Sequence, residues 1–211
     1  MKPEYGPTLG RLLEPRWRAT AAPLRWLVIG FAVALVIGAV ALALTLEDAH
    51  YSQGGSVPFG FAYRGLYRTQ PEPGGYVRIV ARDGDGRLRY SYEVDPLSLP
   101  PYSGGISGAL PVFATGYART LAARFHGYSP RGEGKTRANG VPGYQILFAA
   151  RVDGREMYGR DVLLLPPREG VRQGVSIVML TSATAARSIS SPMDVASTGV
   201  LLRPLKTFTF R

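Results

Sequence analysis

Side chains able to do chemistry are few in this chain, and their spacing is poor. Two histidines, His50 and His126, stand in 211 residues, and there is no cysteine. A thiol nucleophile, a thiolate metal site and a disulfide framework are therefore excluded. A zinc site or a Ser-His-Asp arrangement would have to be built around a single imidazole. No Gly-x-Ser-x-Gly elbow occurs. Gly132-Glu133-Gly134-Lys135-Thr136 ends as a phosphate loop does but lacks the first glycine and a following helix, so it reads as a basic turn. Asp83-Gly84-Asp85-Gly86 opens like a calcium loop, yet its twelfth position is Val94 and Glu93 falls one short of the closing glutamate. A hairpin turn is the better reading. Paired-carboxylate chemistry stays open for Glu93, Asp95, Glu156 and Asp161, although acids that punctuate strands are expected at the surface. The expectation is a protein without catalytic residues, cofactor or metal.

The elements that would position any site begin with Trp26 to Leu46, 21 residues without a charge, proline, asparagine or glutamine. As a helix this stretch is about 31 Å long, against a hydrocarbon core of about 30 Å, and it predicts a membrane span. Lys2, Arg11, Arg16, Arg18 and Arg25 precede it while Glu47 and Asp48 follow, which predicts a cytoplasmic N-terminus and an exterior C-terminal part. A cleaved signal peptide is the competing reading, but its apolar region is usually only about 7 to 15 residues long. Gly30, Ala34 and Gly38 recur every four residues, a candidate helix-packing face. Residues 1–25, with four prolines, read as a cytoplasmic tail, 47–56 as a flexible linker, and 57–211 as one exterior domain.

The net charge is +10, and twenty basic against thirteen acidic residues fall after residue 46. A basic domain held at a bilayer is expected to meet anionic lipid headgroups or polyanionic wall polymers rather than nucleic acid. The candidate contacts are Arg131, Lys135 and Arg137.

Within the domain, Phe59, Phe61 and Tyr63 alternate as a half-buried strand does, and Leu66 to Thr69 continues it. Tyr76 to Arg82 and Arg87 to Val94 flank the Asp-Gly-Asp-Gly turn. Pro96 to Pro111, with four prolines, three glycines and three serines, predicts a long irregular loop. Its apolar residues Leu97, Leu99, Tyr102, Ile106 and Leu110 make it the candidate partner loop. Phe113, Tyr117, Leu121 and Phe125 recur at four and predict a helix over Val112 to His126, with Pro111 at its start and Gly127 at its end. Tyr128 to Arg137 reads as a strand with a basic edge, and Asn139-Gly140 as a turn. Gly143 to Val152 and Arg155 to Leu165 form a hairpin around Asp153-Gly154. Val175 to Ser182, VSIVMLTS, predicts a central strand buried on both faces. Ser191-Pro192-x-Asp194 predicts a second helix running to Arg203.

That order resembles the superfamily of the photosystem extrinsic protein PsbP, the nuclear-import factor Mog and LpqN-type lipoproteins, over residues 57–211. The resemblance is carried by Gly140-x-x-Gly143-Tyr144, by the run Val175 to Ser182, and by a last helix leading into Thr207-Phe208. It implies an α+β fold, an antiparallel sheet packed between helices as an α/β/α sandwich, here preceded by one transmembrane helix. It also implies a non-enzymatic role in assembly or binding. The expected function is thus a single-pass, membrane-anchored extracytoplasmic interaction module of the cell envelope, with a membrane or envelope protein as partner. The alternative is a carrier or sensor for an apolar or anionic small ligand. A cavity of at least about 300 Å³ between helix and sheet discriminates in favour of the alternative.

Overall fold

A computed structural model of the protein describes residues 22–45, 48–168, 170–185 and 188–211. The chain divides into two units, Met1–Glu47 and Asp48–Arg211. In the first, the described element is helix α1, Ala22–Thr45. Its described side chains, at 26, 27 and 29–38, are all exposed, those of Ala34 and the Gly30 and Gly38 positions included. Among the described residues no helix is long and apolar enough to cross a membrane. The predicted tail up to residue 21, Leu46 and Glu47 lie outside the described residues.

The second unit runs β1 (Ala49–Gln53), β2 (Phe59–Tyr63), β3 (Tyr67–Thr69), β4 (Val77–Arg82), β5 (Leu88–Ser98), α2 (Ile106–Arg124), β6 (Ser129–Ala138), β7 (Val141–Val152), β8 (Arg155–Leu164) and β9 (Gln173–Ser182). A 3-10 turn (Pro192–Asp194), helix α3 (Leu202–Thr207) and β10 (Thr209–Phe210) complete it. The main sheet has seven strands in the order β3-β4-β5-β9-β8-β7-β6, and a small sheet has the order β1-β2-β10. All pairings are antiparallel.

Turn chemistry sets the hairpins. Asn139 (φ 46°) with Gly140 (φ 84°), and Asp153 (φ 52°) with Gly154 (φ 75°), place two successive residues in the left-handed region, as a two-residue type I′ turn requires. In the Asp-Gly-Asp-Gly turn, Asp83 Oδ1 accepts the amides of Asp85 (3.1 Å) and Arg87 (3.0 Å), and Oδ2 pairs with Arg155. Both oxygens are thereby engaged in holding the hairpin. Strand β9 lies between β5 and β8, with Val175, Ile177 and Met179 facing one core and Val178 and Leu180 the other. Two apolar faces explain why its sequence is continuous rather than alternating.

The two layers against the main sheet differ from the expected pair of helices. One face is covered by α2, whose Leu110, Ala114 and Leu121 are buried. The other is covered by the small sheet, the 3-10 turn and α3, around an aromatic cluster in which Phe59 lies 5.4 Å from Phe208 and Phe61 5.0 Å from Tyr92. Each such ring contributes about 2–3 kcal/mol by leaving water. This face is sheet on sheet, so the α/β/α sandwich is corrected to an antiparallel α+β fold with one helical layer. The predicted second helix fails because Ala196 (φ 59°) and Gly199 (φ 73°) turn the chain out of the right-handed region. Ser191 and Asp194 do make the capping box, but for a single turn.

Two further expectations are corrected. Residues 49–53, read as linker, form β1 and pair with β2 from Ala49↔Tyr63 to Gln53↔Phe59, with Tyr51 buried. The long loop is also largely absent. Strand β5 continues to Ser98, beyond the point where β4 ends opposite Val94, so Pro96 sits where the strand has one neighbour and tolerates a missing N–H. Helix α2 then begins at Ile106 and carries Pro111 as its sixth residue.

Candidate binding cleft

The β6-β7 hairpin places Lys135 opposite Tyr144 and Arg137 opposite Pro142. Next to them Gly143 allows β8 to come close: a Cβ there would lie 2.5 Å from Leu164 Cδ2 and 2.6 Å from the Leu163 carbonyl oxygen. Across a gap stands the first turn of α2. Its N-cap is Gly105, extended at φ −81°, ψ 153°, with no side-chain cap and no acid in the first turn. The segment between β5 and α2 is tied to the β8-β9 connection at three points. Tyr102 Oη donates to the Val171 carbonyl (3.1 Å), Leu99 N to the Arg172 carbonyl (2.8 Å) and Arg172 Nε to the Leu99 carbonyl (3.0 Å). The connection then brings Pro167, Arg168 and Gly170 to the same gap.

The result is an open cleft of about 950 Å³. Ile106, Leu110, Pro142 and Tyr144 supply an apolar wall, while Lys135, Arg137 and Arg168 supply positive charge. All three cations are exposed, and none forms an ion pair among the described residues. No described acid lines the cleft. Glu133 stands at its rim beside Tyr144, whose phenol is held above the usual tyrosine value by burial and then by that carboxylate. Three exposed cations facing one concavity raise the local concentration of anions, and the uncapped amides and positive dipole end of α2 act in the same sense.

The structure thus unites two groups of residues that the sequence kept apart. Tyr102, Ile106 and Leu110 share the cleft with Lys135 and Arg137. Leu97 and Leu99 do not: both are core residues beneath α2. Arg131 is exposed at the β6 bulge but does not line the cleft. The Gly-Glu-Gly-Lys-Thr segment lies within edge strand β6 and not in a turn. Arg168 was missed altogether. It sits in the Pro166-Pro167-Arg168 segment after β8, where no motif or spacing singles it out.

Beneath α2 lies a second polar group. Tyr117 Oη donates to Ser176 Oγ (3.1 Å), and Ser176 Oγ donates to Asp161 Oδ1 (2.8 Å). Asp161 is fully buried, which corrects its expected surface place, and burial pushes its carboxyl up to about 7. Met157, four residues before it, and Leu163, two residues after it, lie on the same face of β8 and are both buried in the helix-side core. At the far end of α2, Arg124 binds Glu93 (3.0 Å), Asp95 (2.8 Å) and Glu72 (3.2 Å). Glu93 is almost fully buried, again against expectation, and Arg78 faces it at 3.5 Å. His50 and His126 are both exposed, on β1 and beyond the end of α2.

No family model and no curated protein matches the chain. Among solved structures it is similar to LpqN of Mycobacterium tuberculosis, a protein involved in cell envelope biogenesis (12% identity, TM-score 0.48, covering 78% of this chain and 91% of that one). It is similar to the cyanobacterial PsbP of Synechocystis (14%, 0.45, 78% and 93%). It is also similar to the Ran-binding protein Mog1p of Saccharomyces cerevisiae (11%, 0.47, 77% and 95%).

Proposed function

We propose that the protein is a membrane-anchored, non-enzymatic binding domain of the cell envelope, and that the cleft at the start of α2 takes an anionic ligand with an apolar portion. The observation that carries this reading is the cleft itself. At about 950 Å³ it exceeds the roughly 300 Å³ at which ligand sites begin, and it presents three cations above an apolar wall. The anionic part is bound by Lys135, Arg137 and Arg168, the carbon skeleton by Ile106, Leu110 and Pro142. The protein-partner reading leaned in part on the semi-apolar loop Pro96 to Pro111, whose Leu97, Leu99 and Leu110 are buried. The absence of catalysis is supported by where the titratable groups are engaged. Asp161 is sealed beneath α2, and Glu93 and Asp95 are held by Arg124.

The proposed anchor is the stretch Trp26 to Leu46, whose 21 residues carry no charge and would be about 31 Å long as a helix. The excess of Lys and Arg before it sets the N-terminus inside and the cleft outside. Protease added to intact cells removes the domain and spares the N-terminal tail; digestion of the tail instead overturns the topology.

The ligand class is tested by calorimetric titration of the detergent-solubilised full chain with phenyl phosphate, which carries both parts. Saturable binding is expected, abolished by Lys135→Ser, Arg137→Ser and Arg168→Ser together and weakened by salt. Equal binding of phenol, or none of phenyl phosphate, removes the reading.

A further inference from the structure

A smaller cleft of about 330 Å³ lies on the other side of the Pro166-Pro167-Arg168 segment, between it and the end of the small sheet. Arg168 lines both clefts, and Arg172 and Arg211 line the smaller one. Five cations, Lys135, Arg137, Arg168, Arg172 and Arg211, therefore line two concavities that share Arg168, and no described acidic side chain lines either. Several arginines elsewhere in the domain are matched by acids: Arg124 by three, Arg155 by Asp83, Arg203 by Asp48 and Arg82 by Asp153.

We infer that these two clefts form one track for a linear phosphate polymer, bound through successive anionic groups. The inference rests on the reading of the larger cleft as an anion site and extends it from a single charge to a chain of them. One small anion at the larger cleft does not reach Arg172 and Arg211, which line only the smaller one, whereas a chain crossing Arg168 meets both groups.

Three of the guanidinium groups are held in place. Arg137 Nη1 donates to the Gly140 carbonyl (3.1 Å), Arg172 Nε to the Leu99 carbonyl (3.0 Å), and Arg211 Nη1 to Ser52 Oγ (2.8 Å). Each keeps further N–H donors for the forked contacts by which arginine binds phosphate. Fixing the groups beforehand lowers the ordering cost on binding. Base recognition is not provided for, because single-stranded nucleic acids are held by stacking on open aromatic faces. Tyr144 is buried, Tyr102 is tied through its hydroxyl, and Phe210 packs edge-on against Phe208 at 5.2 Å.

The test uses the detergent-solubilised full chain with three probes at equal salt: tripolyphosphate, polyphosphate of about 20 units, and single-stranded DNA of equal charge. Polyphosphate is expected to bind at least tenfold more tightly than tripolyphosphate and to lose affinity more steeply with salt, by roughly 0.7 per additional phosphate contacted. Arg211→Gln should weaken polyphosphate about tenfold and leave tripolyphosphate unchanged. Arg172→Lys, which keeps the charge but not the fork, should act in the same direction. If tripolyphosphate binds and Arg211→Gln affects neither probe, the track is wrong while the larger cleft stands as an anion site. If tripolyphosphate does not bind, the anion-site reading falls with it. DNA binding as tight as polyphosphate overturns the polymer class.

Discussion

The two ends of helix α2 use positive charge in opposite ways. At its C-terminal end Arg124, one-fifth exposed, is surrounded by Glu72, Glu93 and Asp95, and its guanidinium fastens the helix to strand β5. At its N-terminal end Lys135, Arg137 and Arg168 are exposed and without acidic partners among the described residues. A buried cation that loses its partners, or buried acids that lose their cation, cost far more than an exposed charge does. The lesson is that arginine content says little until the partners are known: the same residue type fastens the fold at one end and stays available to a ligand at the other.

The comparison breaks most directly at Arg124. Replacing it by Met leaves Glu93 and Asp95 in a poorly solvated site, where burial already holds both carboxyls above their ordinary range. The expected loss is about 3–5 kcal/mol, read from urea or thermal unfolding of the full chain. A loss below about 0.5 kcal/mol would mean that this cluster is solvated and that the contrast with the cleft is not one of stability.

Asp161 sharpens it, as a buried charge without a cation in contact. Tyr117, Arg124, Asp95 and Tyr128 are the ionisable groups that face it. Its carboxyl in the folded protein titrates at about 7, above the ordinary value, so the folded state holds the proton more tightly than the unfolded chain. The associated stability is fully present below the unfolded value of about 4 and is lost as pH rises to about 7. Asp161→Asn should flatten that slope and stabilise the domain at pH 8 by roughly 2–4 kcal/mol. Unchanged pH dependence of unfolding in the variant would show that the carboxylate is already compensated.

The smallest effect on folding is expected where the effect on binding is largest. Neutralising Lys135, Arg137 and Arg168, which abolishes the phenyl phosphate signal, should move stability by no more than about 0.5 kcal/mol per site. A large drop would make these cations structural, like Arg124.

Much of the fold was legible because much of it is local. Asn139-Gly140 and Asp153-Gly154 announce hairpins since the residues that accept positive φ are few, and the helical period around Phe113 to Phe125 marks α2. The apolar run of β9 identified the centre of the sheet. Errors fell where a strand or helix overrode composition. Pro96 was read as the start of a loop and Pro111 as the start of a helix, but one lies at a one-sided stretch of β5 and the other is the sixth residue of α2. In the other direction, the capping box at Ser191 started a turn that Ala196 stopped.

By itself, then, the chain determined its hairpins, its central strand, its main helix and the apolar stretch of α1. Each depends on residues a few positions apart and on backbone angles that those residues alone restrict. Only the tertiary structure decided that the Phe210 end pairs with β2, that Asp161 and Glu93 are buried, and that Arg168 joins Lys135 and Arg137 around one cleft. Those outcomes follow from contacts between residues far apart in sequence, made when two apolar faces of one sheet bury themselves under different layers, and no local spacing encodes which charges that packing leaves open to solvent.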